Sequence, residues 1–130
     1  MIYRCDVLDH EALKEVCREI EISWLLAASP YIVRCEGFTV NPPDIYITME
    51  LCTKGSLWDV LAQHELTYTQ RLGMAYDAAS AVAHVHSCGF VHRDIKSLNF
   101  FVTDLRDKTT LRLGDFGALT PAVGILNPAS

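Results

Sequence analysis

The chain has 130 residues, half of them apolar, and its 11 Lys and Arg against 16 Asp and Glu give a formal net charge of −5. That length suits one domain with one modest core, and the acidic balance excludes a general nucleic-acid patch; no apolar run approaches a bilayer span and no signal-peptide pattern opens the chain, so no membrane role is expected. Five scattered cysteines (Cys5, Cys17, Cys35, Cys52 and Cys88) without a CxxC pair point to free thiols in a reducing, cytoplasmic setting.

Ile2 to Val7 reads as a short strand with Arg4 as its one basic residue. Asp9 is placed to cap the helix that follows, since its carboxylate can accept the first free amides. Leu13, Val16, Ile20 and Trp24 recur at steps of three, four and four, which predicts an apolar helical stripe, with Glu15 and Glu19 one turn apart on its flank. Such acids read equally well as a solvated face. Pro30 closes the helical region.

Tyr31 to Val40 and Asp44 to Leu51 predict two strands joined by the turn signal Asn41-Pro42-Pro43. After Cys52-Thr53-Lys54-Gly55, Ser56 is suited to cap a short helix from Leu57 to His64. Thr69 to Ser87 is the longest helical stretch. Its apolar residues fall on two adjacent faces, Leu72, Ala75, Ala79, Val82 with His86, and Met74, Ala78, Ala81 with Val85. A helix apolar on most sides predicts a core position. Gly89 stops it where a left-handed residue is needed.

The richest stretch follows. His92-Arg93-Asp94-Ile95-Lys96-Ser97-Leu98-Asn99 leads into the apolar run Phe100-Phe101-Val102, a polar turn from Thr103 to Thr110, the run Leu111 to Leu113, and Asp115-Phe116-Gly117. Loop, strand, turn, strand and loop would bring Asp94, Asn99 and Asp115 to one end of a hairpin. Two carboxylates and an amide there can orient a hydroxyl nucleophile and hold Mg²⁺, a cation that takes hard oxygen ligands, on a polyphosphate. Singly, the two aspartates read as turn residues and Asn99 as a strand cap. The tail past Gly117, rich in small residues and proline, is expected to be poorly ordered.

His92 to Asn99 resembles the catalytic-loop signature of eukaryotic protein kinases, and Asp115-Phe116-Gly117 their metal-binding motif. The element order is similar to the centre of that fold. The resemblance implies an α+β, partial protein-kinase-like architecture: an incomplete small antiparallel β lobe over 1–50, a hinge over 51–55, and over 56–130 the first helices, the catalytic loop and the start of the activation segment of the helical lobe. It covers nearly the whole chain but about half of a complete kinase domain, without the glycine-rich strand pair and the later helices.

The resemblance implies an ATP-dependent serine/threonine protein kinase that uses Mg²⁺ and acts on a protein substrate with a Ser or Thr hydroxyl. Asp94 becomes the catalytic base, Lys96 neutralises the transferred phosphoryl group, and Asn99 and Asp115 hold the metal. Met49 stands at the gatekeeper position, Glu50, Leu51 and Cys52 supply hinge main chain to the adenine edge, and Phe101 lies under the adenine ring. Glu19, with Glu15 as rival, is the helix glutamate that pairs with the ATP-anchoring lysine, although Arg4 stands where that lysine is expected. His92 packs on the metal-binding loop, Phe116 enters the large-lobe core, and Arg93 pairs with a phosphorylated activation segment. Lys54-Gly55-Ser56-Leu57 and the catalytic loop look most like the tyrosine-kinase-like group of serine/threonine kinases.

Little catalytic power is expected of this chain alone, as phosphate cover, lysine and substrate platform supply most of the positioning. Arg4 favours an alternative, a non-catalytic pseudokinase-type module that binds a regulatory protein partner. A small-molecule phosphotransferase of the aminoglycoside-kinase type shares a similar Asp, Asn, Asp order, but Arg93, Lys96 and the full Asp115-Phe116-Gly117 argue against it.

Overall fold

In the computed structural model, which describes residues 2–4, 10–41, 44–106 and 111–122, two clusters of buried apolar side chains organise the chain. The smaller is built on a three-stranded antiparallel sheet of β1 (Ile2–Arg4), β2 (Cys35–Asn41) and β3 (Asp44–Met49), in the order β1-β3-β2. β3 alternates as a half-buried strand should: Ile45 and Ile47 point inward while Thr48 is exposed. Cys35 and Val16 complete that cluster.

Val16 belongs to α1 (His10–Leu26), which serves both cores. Its first half packs on the sheet, and Ile22 and Leu26 enter the larger cluster. The buried face is Val16, Glu19, Ile22, Ser23 and Leu26, so the predicted stripe needs correction at Trp24, which is 60% exposed. Two neighbouring stripes satisfy helical spacing here, and the need to meet both the sheet and the larger core selects the one without Trp24. Pro30 lies in the turn beyond the helix, and Asp9, the expected cap, falls outside the described residues, as do 5–7 of the first predicted strand and Pro42-Pro43.

The predicted strand from Tyr31 divides in two. Residues 31–33 pair with Leu113, through Leu113 N–H to Tyr31 O (2.8 Å) and Val33 N–H to Leu113 O (2.9 Å), and only from Cys35 does the chain pair with β3. β4 (Gly55–Ser56) precedes α2 (Leu57–Gln63), where the Ser56 hydroxyl accepts from Asp59 N–H at 3.2 Å as the expected cap. α3 (Tyr68–Ser87) begins one residue earlier than predicted. A reciprocal capping box, Thr67 with Gln70, satisfies two of its free amides (3.1 and 2.9 Å).

Met74, Asp77, Ala81 and Val85 form the single buried face of α3, whereas Leu72, Ala75 and Ala79 are exposed, so it is not a core helix on most sides. Asp77 is buried because its carboxylate accepts the Leu111 N–H (3.2 Å). Gly89 takes φ +86°, the left-handed conformation required there.

β5 (Phe90–Val91), β6 (Phe100–Val102), β7 (Leu111–Leu113) and β8 (Thr120–Pro121) complete the chain. β6 and β7 form the predicted antiparallel hairpin, joined at its edge by β4, and β8 pairs with β5. The expected loose tail is thus corrected as far as residue 122. Leu119 is fully buried in the larger cluster, Thr120–Pro121 is hydrogen-bonded to Phe90–Val91, and Ala122 N–H reaches Gly89 O at 2.8 Å. The α+β, kinase-like reading holds. No described helix is long and apolar enough to cross a membrane.

Candidate active site

The hairpin carries its loops to one end, and main-chain hydrogen bonds fasten them. Gly114 N–H donates to Asn99 O (2.9 Å), while Gly114 O meets His92 Nε2 (3.0 Å). His92 Nδ1 in turn accepts from Asp94 N–H (3.1 Å), which leaves Nε2 to donate to the Gly114 carbonyl. His92 is 2% exposed and lies edge-on to Phe116, ring centres 5.9 Å apart at 70°, which gives it the packing role expected of it. Both donor positions of Asn99 Nδ2 are spent on Asp94, on its carbonyl at 2.8 Å and on Oδ2 at 3.0 Å. Asn99 Oδ1 is left as an acceptor. Lys96 Nζ sits 3.6 Å from Asp94 Oδ1, so each carboxylate oxygen of Asp94 has its own partner.

Asp115 has φ +54° and Arg93 φ +72°, conformations that non-glycine residues adopt at a cost of about 1–2 kcal/mol each. At Asp115 the turn separates neighbours. Its carboxylate stays exposed and accepts from Gly117 N–H (3.4 Å), whereas Phe116 is 1% exposed.

A cleft of about 490 Å³ opens between this hairpin and the strand-to-helix connection. Val33, Met49, Glu50, Leu51 and Cys52 form one wall; Leu98, Asn99, Phe101, Gly114 and Asp115 form the other. Of the residues singled out from sequence, Met49, Glu50, Cys52, Phe101, Asn99 and Asp115 therefore meet at one cavity. Asp94 and Lys96 adjoin it through Asn99. Glu19 does not line it. It is buried on α1 while Glu15 is exposed, and none of the described residues is hydrogen-bonded to its carboxylate. Arg4 pairs through main chain with Asp44, and its side chain lies outside the described atoms.

Glu50 is the best-anchored residue of the first wall. It exchanges 2.9 Å hydrogen bonds with the Arg34 main chain, N–H to O and Oε1 from N–H, and pairs with Arg112 Nε at 3.4 Å, both side chains under one-fifth exposed. Burial pushes the neighbouring Cys52 thiol above its usual pKa; the Glu50 charge adds to the rise and Arg112 opposes it. Sequence reasoning missed Val33 and Gly114 in the walls, Arg112 behind them, and Arg18, whose guanidinium donates to Leu119 O. For Arg112 a signal existed, since it falls between Leu111 and Leu113 of an alternating strand.

The donor set fits a hard divalent cation: an amide oxygen with its own amide hydrogens engaged, and an exposed carboxylate in the same cleft wall. The protein kinase domain family matches residues 3–123. Calcium-dependent protein kinase 27 of Oryza sativa subsp. japonica is 33% identical over 112 residues, 85% of this chain and 18% of that protein. Serine/threonine-protein kinase DCLK1 of Rattus norvegicus is 42% identical over 88 residues, 65% of this chain and 20% of its own length. Serine/threonine-protein kinase DCLK2 of Mus musculus is 38% identical over 117 residues, 87% and 15% respectively. The chain spans a quarter or less of these relatives.

Proposed function

Because this chain belongs to the protein kinase domain family, we propose that it binds MgATP in the 490 Å³ cleft and takes part in phosphoryl transfer to a Ser or Thr hydroxyl of a protein. The observation that carries the proposal is the hydrogen-bonded set Asp94–Asn99–Lys96 beside the wall that holds Asp115. Asp94 accepts the hydroxyl proton as the substrate oxygen bonds to the γ-phosphorus and the bond to the departing ADP oxygen breaks. Lys96 offsets the charge on the transferred group. Asn99 orients Asp94 through Nδ2, and its Oδ1, with Asp115, would hold Mg²⁺; bound there, the ion supplies neutralisation of phosphate charge. The Met49–Cys52 main chain meets the adenine edge and Phe101 its face. The serine/threonine assignment rests on Lys96 and on the relatives' names, and the tyrosine-kinase-like subgroup on the Lys54–Leu57 and His92–Asn99 motifs alone.

Transfer of labelled phosphate from ATP to a generic Ser/Thr-containing protein tests this. Asp94→Asn should lower the rate by about 10²–10⁴-fold, the usual worth of a positioned base. Equal rates in the two proteins would remove Asp94 from the mechanism. The 130 residues by themselves are expected to form a weak catalyst, since Arg4 stands where the ATP-anchoring lysine is expected and a broad guanidinium fork replaces a compact ammonium. That observation also favours the second reading, a non-catalytic module that engages a regulatory protein. A native-state ligand must raise apparent stability, so the absence of a melting shift at millimolar MgATP would support the second reading over the first.

A further inference from the structure

Gly114 is a glycine for want of space, not for backbone conformation. Its φ is not left-handed, unlike those of Gly55 (+78°) and Gly89 (+86°). A Cβ built on Gly114 would lie 2.8 Å from Phe101 Cε2, 3.2 Å from Phe101 Cδ2 and 3.4 Å from Val33 Cγ2. The first distance is too short to persist, so something must move. Gly114 cannot, because its N–H is held by Asn99 O at 2.9 Å and its carbonyl by His92 Nε2 at 3.0 Å. Phe101 can: its main chain is fixed opposite Arg112 in the hairpin, but its half-buried ring borders the open cleft.

We propose that the missing side chain at Gly114 sets how low the Phe101 ring lies in the cleft, and so sets the room left for the nucleotide base. Gly114 is a positioning residue that acts through Phe101; the inference rests on the cleft being the nucleotide site. A methyl group at 114 lifts the ring into the space the base needs, whereas a shorter, branched side chain at 101 relieves the collision.

The test is MgATP affinity by titration calorimetry for the chain, Gly114→Ala, Phe101→Leu and the double variant, with ligand-free melting recorded for each. Gly114→Ala should bind MgATP at least about fivefold more weakly, the low end of what one added methylene costs in a packed site. The double variant should return to within about twofold of Phe101→Leu, a rescue that general damage at 114 would not show. If Gly114→Ala does not fold, the double variant must still fold and bind like Phe101→Leu. Unchanged binding by Gly114→Ala, or a double variant as defective as the single one, overturns the pairing while leaving the nucleotide site intact. No binding by the unmodified chain removes the site itself, and the pairing with it.

Discussion

On the hairpin side of the cleft, position is fixed by polar groups that answer one another, with His92 and Asn99 buried and Asp94 half-buried: His92 to Gly114 and Asp94, Asn99 to Asp94, Gly114 to Asn99. Phe116, buried in the larger cluster, packs edge-on against His92. On the strand side, position comes from strand register and from the small cluster of Val16, Cys35, Ile45 and Ile47, with Phe38 54% and Leu51 82% exposed. Groups that do chemistry need fixed side chains, and removing one leaves another without a partner. A wall that presents main chain to a ligand edge needs only its strand path, so its side chains are freer to differ.

The sharpest way to break this contrast is to truncate each core. Phe116→Ala should cost about 3–5 kcal/mol of unfolding free energy, and Ile47→Ala about 2, the low end for such a deletion. Equal losses in urea denaturation would mean that the two walls rest on equally firm cores. His92→Phe keeps a ring beside Phe116 but strands Gly114 O and Asp94 N–H, at about 1–3 kcal/mol for each unsatisfied group. A variant as stable as the parent would show that these hydrogen bonds hold nothing in place.

The next effect is chemical. With its thiol held above the usual pKa by burial and by Glu50, Cys52 should be alkylated by iodoacetamide only at higher pH than a cysteine in an unfolded peptide. Glu50→Gln should move that profile to lower pH, since a negative neighbour is removed, and MgATP should slow the reaction. Peptide-resolved mass spectrometry separates Cys52 from the other thiols.

The smallest effect lies at the surface. Arg106 hydrogen bonds hold Asp104 at a pKa of about 2, so its contribution is complete above the unfolded carboxylate pKa of about 3.9 and is lost as pH falls towards 2. Exposure and salt screening keep it slight, and Arg106→Ala should reduce it without abolishing it, since the main-chain N–H of residue 106 and the charge of Lys54 still favour the ionised carboxylate. Acid melts of the two proteins that differ strongly at 0.15 M salt would contradict this.

What the sequence made legible was local. Ser56 announces a helix start by its own chemistry, Gly89 a left-handed stop, and the runs around Phe101 and Arg112 a hairpin. The catalytic-loop motifs then gather Asn99 and Asp115 at one cleft by their spacing along that hairpin. Features set by distant partners were not legible. The choice between the Trp24 and Ser23 faces of α1, the burial of Asp77 and Leu119, and the closeness of Gly114 to Phe101 all depend on segments far apart in the chain. Periodicity cannot see them.

Arg18 stands one residue before Glu19, yet its guanidinium reaches across to the carbonyl of Leu119. That acceptor is main chain, so no replacement of the Leu119 side chain can delete it. The leucine itself is sealed in the core, and the next two residues are laced to Phe90–Val91. An outward swing of α1 would have to give up this hydrogen bond, so the contact joins the position of the helix to the path of the strand after Gly117.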